Sequence, residues 1–93
     1  MGWQIEFDPR ALKELKKLDG VAQKRIIQYL KTQVAVQSNP RLLGRSLKGN
    51  KQGLWRYRVG NYRIICEILD TQMLVLVVKV GSRQSVYDSD FSR

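Results

Sequence analysis

The 93-residue sequence predicts an α+β domain in which an N-terminal strand, a helical hairpin and a three-stranded antiparallel meander build one four-stranded sheet. Three observations predict it. Trp3-Gln-Ile-Glu-Phe7 alternates apolar and polar residues, the period of a half-buried strand. Between Pro9 and Val36 the apolar residues recur at helical spacing in two segments. From Leu54 onward, three strand-like runs are separated by short breaks, the first of them the two-residue turn Gly60-Asn61.

Asp8-Pro9 supplies an N-cap followed by proline at the first helical position. The first helix carries Ala11, Leu12, Leu15 and Leu18 on one face, with Lys13, Lys16 and Lys17 on the wet side, and Asp19-Gly20 is expected to end it. The second helix is expected over about Val21 to Val36, with Ala22, Ile26, Ile27, Leu30 and Val34 as its buried stripe. Ser38-Asn39-Pro40 stops it, because a residue before proline avoids helical geometry. Arg41 to Gln52 reads as a loop with one helical turn around Leu42, Leu43 and Leu47. The strands Leu54–Val59, Tyr62–Leu69 and Met73–Val80 follow. The last is apolar on both faces until Lys79, the pattern of an interior strand, and Gly81 is expected to break it. One domain spans residues 1–93, with a loose tail over 88–93.

Charge narrows the function. Seventeen Lys and Arg against eight Asp and Glu give +9, which favours a polyanionic partner. No apolar run approaches the roughly 20 residues that span a membrane, and the charged first 20 residues lack a signal-peptide segment. A single cysteine, Cys66, cannot form an internal disulfide, so a reducing cytoplasm is the expected location.

The absence of histidine excludes Ser-His and Cys-His dyads and leaves soft metals almost without ligands. The carboxylates show no spacing that suits a hard metal, and Gly44, Gly49 and Gly53 match no phosphate-cradling fingerprint. No cofactor or metal is expected, and catalysis falls to arginine, lysine and tyrosine.

The hairpin concentrates such groups. A two-residue turn at Gly60-Asn61 sets Val59 against Tyr62, and so Arg58 against Arg63. Strand parity puts Arg56 on the same face as Arg58 and sends Trp55, Tyr57 and Val59 to the core. Like charges directly opposite in a sheet are destabilising, so the trio reads as an anion site. The alternative is a solvated basic face with Glu67 lying diagonally from Arg56. Guanidinium groups suit metal-free RNA cleavage, in which a ribose 2′-oxygen attacks its own phosphate and the phosphorane needs positive charge. Trp3, Trp55, Tyr57 and Tyr62 read as core residues and not as stacking platforms, and Cys66 as a small buried apolar residue.

These residues carry a family resemblance. The opening Ile5-Glu-Phe-Asp-Pro-Arg-Ala-Leu-Lys-Glu-Leu-Lys-Lys-Leu18, Leu47-Lys48-Gly49, the hairpin from Leu54 to Ile68, Val80-Gly81-Ser82-Arg83 and Val86-Tyr87 resemble the RelE/ParE toxin superfamily, specifically its RelE branch. The resemblance implies a RelE-like fold and a ribosome-dependent mRNA endonuclease, the toxin half of a type II toxin–antitoxin pair. It would cut the A-site codon without metal, leaving a cyclic phosphate and a 5′-hydroxyl.

Carried over by position, Arg63 is the arginine that stabilises the transition state, Arg83 the late arginine near the scissile phosphate, and Tyr87 the tyrosine that stacks on a base. Arg56 and Arg58 stand where the RelE type commonly has lysines. Arginine does not give up its proton as lysine can, so the general base stays open among Tyr87, Lys48, Lys51 and solvent. Lys13, Lys16, Lys17, Arg45, Lys48 and Lys51 are the candidate RNA and ribosome contacts.

The implied partners are an acidic antitoxin and the ribosome with its mRNA and 16S rRNA, with operator DNA reached only through the antitoxin complex and no membrane. Two other functions compete: a ParE-like inhibitor of DNA gyrase without nuclease activity, and a non-catalytic RNA-binding module.

Overall fold

Asp8 turns the chain from strand to helix: its Oδ1 accepts from the Ala11 N–H at 2.8 Å, and Pro9 follows as the first helical residue. The computed structural model describes residues 2–47 and 53–82. Among them, strand β1 (Gln4–Phe7) leads into helix α1 (Pro9–Lys16) and helix α2 (Gly20–Tyr29). Strands β2 (Arg45–Ser46), β3 (Leu54–Val59), β4 (Tyr62–Leu69) and β5 (Leu74–Ser82) complete a sheet of order β1-β5-β4-β3-β2. β1 runs parallel to β5, and the other neighbours are antiparallel.

The helices cover one face. Ala11, Leu15, Ile26, Leu30 and Val34 pack on Tyr57, Val59, Ile64, Cys66, Val75, Val77 and Val80 in a single buried cluster. Each fully buried Val, Leu or Ile side chain there contributes roughly 1.5–3 kcal/mol. Trp3, Trp55 and Tyr62 pack against that cluster and Tyr57 and Cys66 lie within it, in line with their reading as core residues. The expected α+β class and the expected β3–β4 hairpin are both present, but the sheet has five strands where four were expected.

The extra strand, β2, comes from the segment read as loop. It is held less by its own two residues than by side chains of β3. Trp55 Nε1–H donates to the Leu43 carbonyl at 2.6 Å, and the Tyr57 hydroxyl donates to the Pro40 carbonyl at 2.8 Å. Gly44 lets the backbones meet there: its φ is +74°, and a Cβ would stand 2.3 Å from the Arg56 carbonyl oxygen. The helical turn expected near Leu42 is a 3-10 turn at Pro40–Leu42, capped by the Asn39 side chain.

Other boundaries move for local reasons. Asp19 does not close the first helix but caps the second, accepting from the Ala22 N–H at 2.7 Å. Helix α2 passes into a π-helical turn at Leu30–Val34, in which the Ala35 N–H donates to the Leu30 carbonyl. Met73 is not in a strand: at φ +50° it closes a turn over Asp70–Gln72. Gly81 does not break β5, because it pairs with Arg63 inside the ladder and the strand continues to Ser82. β5 is interior, as its two apolar faces predict, lying between β1 and β4.

A bulge divides β5. Cys66 pairs with Val77, yet its neighbour Ile65 pairs with Lys79, which leaves Val78 as the extra residue. The parity of β5 flips there. Val75 and Val77 face the helices before it and Val80 after it, while Lys79 and Gly81 join the opposite face. The tail expected to be loose, 88–93, lies outside the described residues.

Candidate functional site

The β3–β4 turn sets the register on which the site depends. Gly60 has φ +59° and Asn61 does not share a positive φ, the pattern of a type II′ hairpin. The register is the expected one, with Val59 opposite Tyr62 and Arg58 opposite Arg63.

On the face away from the helices, the cross-strand pairs align in two rows. One runs Arg45, Arg56, Ile65, Lys79 across four strands; the next runs Arg58, Arg63, Gly81 across three. Five basic residues therefore share two adjacent rows. Their environments differ: Arg58 is exposed, Arg56 half-buried, and Arg63 buried at 4% exposure. A guanidinium keeps its charge when buried, so Arg63 brings a permanent cation into the sheet. Gly81 beside it adds no side chain, which leaves Arg63 one bulky in-row neighbour, Arg58.

The structure thus brings together Arg56, Arg58, Arg63 and Arg45 from the residues singled out in the sequence. Lys17 is exposed and lines an open groove of about 380 Å³ with Glu14, Tyr62, Lys79, Gly81 and Ser82, at the strand end next to Arg63. Lys13 and Lys16 are exposed on α1, and neither lines that groove. Lys48, Lys51, Arg83 and Tyr87 lie outside the described residues.

Sequence reading missed two residues. Lys79 joins the arginine face only because of the bulge at Val78, and Glu14 balances it, Oε2 accepting from Lys79 Nζ at 2.9 Å. The available signal was the valine spacing: Val75 and Val77 keep strand parity, and Val80 breaks it.

Two buried groups on the helix-facing side, Cys66 and Tyr57, hold their protons. Burial pushes the Cys66 thiol and the Tyr57 hydroxyl well above their ordinary values. Cys66 is therefore a poor nucleophile and a packing residue. Among the described residues no three His, Cys, Asp or Glu side chains gather as a metal site would require, and no described helix is long and apolar enough to cross a membrane.

Comparison with known proteins follows the same lines. Residues 5–87 match the family model described as the ParE toxin of the type II toxin–antitoxin system, parDE. The chain belongs to this toxin family. The superfamily resemblance carried by the hairpin and the flanking motifs is borne out, and so is its RelE leaning. The chain is 32% identical over 85 residues to the mRNA interferase toxin RelE of Escherichia coli strain K12, covering 90% of this chain and 86% of that protein.

Solved structures agree. A double arginine-to-alanine mutant of E. coli RelE in the free state superposes with a TM-score of 0.75 at 27% identity, covering 100% of this chain and 98% of that one. RelE from the RelB–RelE antitoxin–toxin complex of Methanococcus jannaschii gives 0.66 at 30% identity, over 90% and 96% of the two chains.

Proposed function

We propose that this chain is the toxin of a type II toxin–antitoxin pair and acts as an endoribonuclease on mRNA in the ribosomal A site. The observation that carries the reading is the Arg58–Arg63 register pair, with Arg63 buried at 4% and Gly81 on its far side. A sheet that accepts two opposed guanidiniums gains from a bridging dianion, and the phosphorane of RNA cleavage is one. The E. coli relative named an mRNA interferase supports the reaction class.

In this reading the ribose 2′-oxygen attacks the adjacent phosphorus, and the bond to the 5′-oxygen breaks. Arg63 and Arg83 hold the charge that grows on the phosphoryl oxygens. Arg56 and Arg58 orient the phosphates, and Tyr87 stacks on a base. The 2′-hydroxyl proton passes to Tyr87, Lys48, Lys51 or solvent, since arginine does not act as a base at neutral pH. The departing 5′-oxygen takes up a proton from solvent to leave as the 5′-hydroxyl. No metal takes part. Arg45, Lys13, Lys16, Lys17, Lys48 and Lys51 contact rRNA and mRNA phosphates, a charge-led encounter suited to a +9 chain.

In this reading an acidic antitoxin covers the basic face, and operator DNA is bound only through that complex. A protein antitoxin as partner is supported by the M. jannaschii relative, which forms a RelB–RelE complex. The cytoplasm is where such a toxin meets ribosomes.

One observation favours a second reading: the matching family model is named for ParE, and a gyrase inhibitor would need no nuclease site. A single experiment separates them. The parental chain and Arg63→Ala are produced in a translation extract, cuts are mapped by primer extension, and gyrase supercoiling is assayed in parallel. Codon-phased cuts that fall about 10²-fold in Arg63→Ala are expected. Intact message with inhibited supercoiling reverses the assignment. Cleavage that survives chelation of transition metals, with ribosomal magnesium held constant, tests the metal-free claim.

A further inference from the structure

β1 leaves the sheet before β5 ends. Their last bond runs from the Asp8 N–H to the Val77 carbonyl at 2.9 Å, and β5 continues to Ser82. Glu14 of α1 takes over at that edge. Its Oε1 accepts from the Val80 N–H at 2.9 Å, where a strand partner would otherwise accept, and its Oε2 accepts from Lys79 Nζ at 2.9 Å. The Glu14 and Lys79 side chains are only 21% and 11% exposed. One carboxylate therefore holds two successive residues just past the bulge at Val78, and the register beyond that bulge is what sets Gly81 against Arg63.

We infer that Glu14 is a positioning residue for the cleavage reaction: its clamp on Val80 and Lys79 fixes the bulged end of β5 so that Gly81 stays beside Arg63. The inference rests on the nuclease reading above and adds a residue on the far helix to it. Glu14 acts through the strand and touches no reacting atom. Without it, the Val80 N–H returns to water as a bare edge donor, and the Lys79 ammonium loses the Glu14 carboxylate at 2.9 Å in a poorly solvated position. Both losses fall on one short segment whose ladder the bulge already interrupts.

The test compares the parental full-length chain with Glu14→Ala and Glu14→Gln on ribosome-bound message, with rates expressed per folded molecule. Glu14→Ala is expected to lower kcat about 10- to 100-fold, the scale of a small misplacement at a reacting centre, with KM changed by no more than about threefold. Amide hydrogen exchange at Val80 should quicken in the same variant. Glu14→Gln keeps an oxygen for the Val80 N–H, so it should restore slow exchange at Val80 and recover most of the lost kcat. A merely structural role would lower the melting temperature and leave kcat per folded molecule at the parental value; that result overturns the inference. A parental chain that cuts no message overturns the nuclease reading itself. Normal Arg63-dependent cutting with an unaffected Glu14→Ala variant overturns only the positioning role.

Discussion

Arg58 and Arg63 face each other directly across the β3–β4 ladder, the first exposed and the second buried. Nothing in strand packing favours that pair, since opposed like charges cost stability. Replacing Arg58 by threonine removes the repulsion and keeps a β-branched residue in the strand. The variant is expected to be more stable by about 0.2–1 kcal/mol and to cleave message less well. Urea unfolding and a cleavage assay on the same preparation check both halves. A variant that is less stable would mean that Arg58 serves the fold and not a ligand.

The hairpin that carries this pair was legible because two independent local rules agree. Gly60-Asn61 selects a two-residue turn, and the alternation of Trp55, Tyr57 and Val59 with Arg56 and Arg58 fixes which face is buried. β2 was not legible. Arg45-Ser46 has no alternation to read, and it becomes a strand because Trp55 and Tyr57 reach back to the carbonyls of Leu43 and Pro40. The bulge was hidden for another reason. In Leu74-Val-Leu-Val-Val78 both faces are apolar, so a change of parity leaves almost no trace until Val80. The Glu14–Lys79 pair joins residues 65 apart, beyond the reach of any local pattern. Of the site, the Arg56, Arg58 and Arg63 face followed from spacing alone; the company of Arg45 and Lys79 required the tertiary structure.

Gly44 ties the fold to the site. Alanine there combines a left-handed backbone with a Cβ 2.3 Å from the Arg56 carbonyl oxygen, 2.8 Å from the Tyr57 ring and 2.9 Å from the Trp55 nitrogen. Backbone strain alone costs roughly 1–3 kcal/mol, and relief of the clash requires β2 to move off β3. Gly44→Ala should therefore lower the melting temperature by at least about 5 °C for a domain of this size and weaken RNA binding through Arg45. A thermal melt within about 1 °C of the parent would show that β2 is not held as described.

Alkaline pH should destabilise the fold in a defined order. Burial raises the folded pKa of Cys66 from an ordinary 9.0 and that of Tyr57 from an ordinary 10.0. As pH rises past each ordinary value, the unfolded chain releases a proton that the folded chain retains, so unfolding becomes more favourable. Both groups are protonated in both states below those values, and their contribution is flat there. Stability is expected to hold to about pH 8 and then fall, first through Cys66 and then through Tyr57, with a slope approaching 1.4 kcal/mol per pH unit for each fully engaged group. Denaturant titrations from pH 7 to 11 measure the slope. Cys66→Ala should remove the part that begins near pH 9.0 and leave the later part in place.

Charge-led binding has its own signature. Each phosphate neutralised by a cation releases counterions, so the logarithm of ribosome affinity should fall linearly with the logarithm of salt, by roughly 0.7–0.9 per contact. Arg45 stands in register with Arg56 at the edge of the arginine face, where it can meet a phosphate without entering the reaction. Arg45→Ala should reduce the slope by about one contact and weaken binding evenly across message sequences, with the codon preference of cleavage kept. Equilibrium binding at several salt concentrations gives the slope directly. An unchanged slope would remove Arg45 from the RNA contacts, and a changed codon preference would move it from the phosphate backbone to the bases.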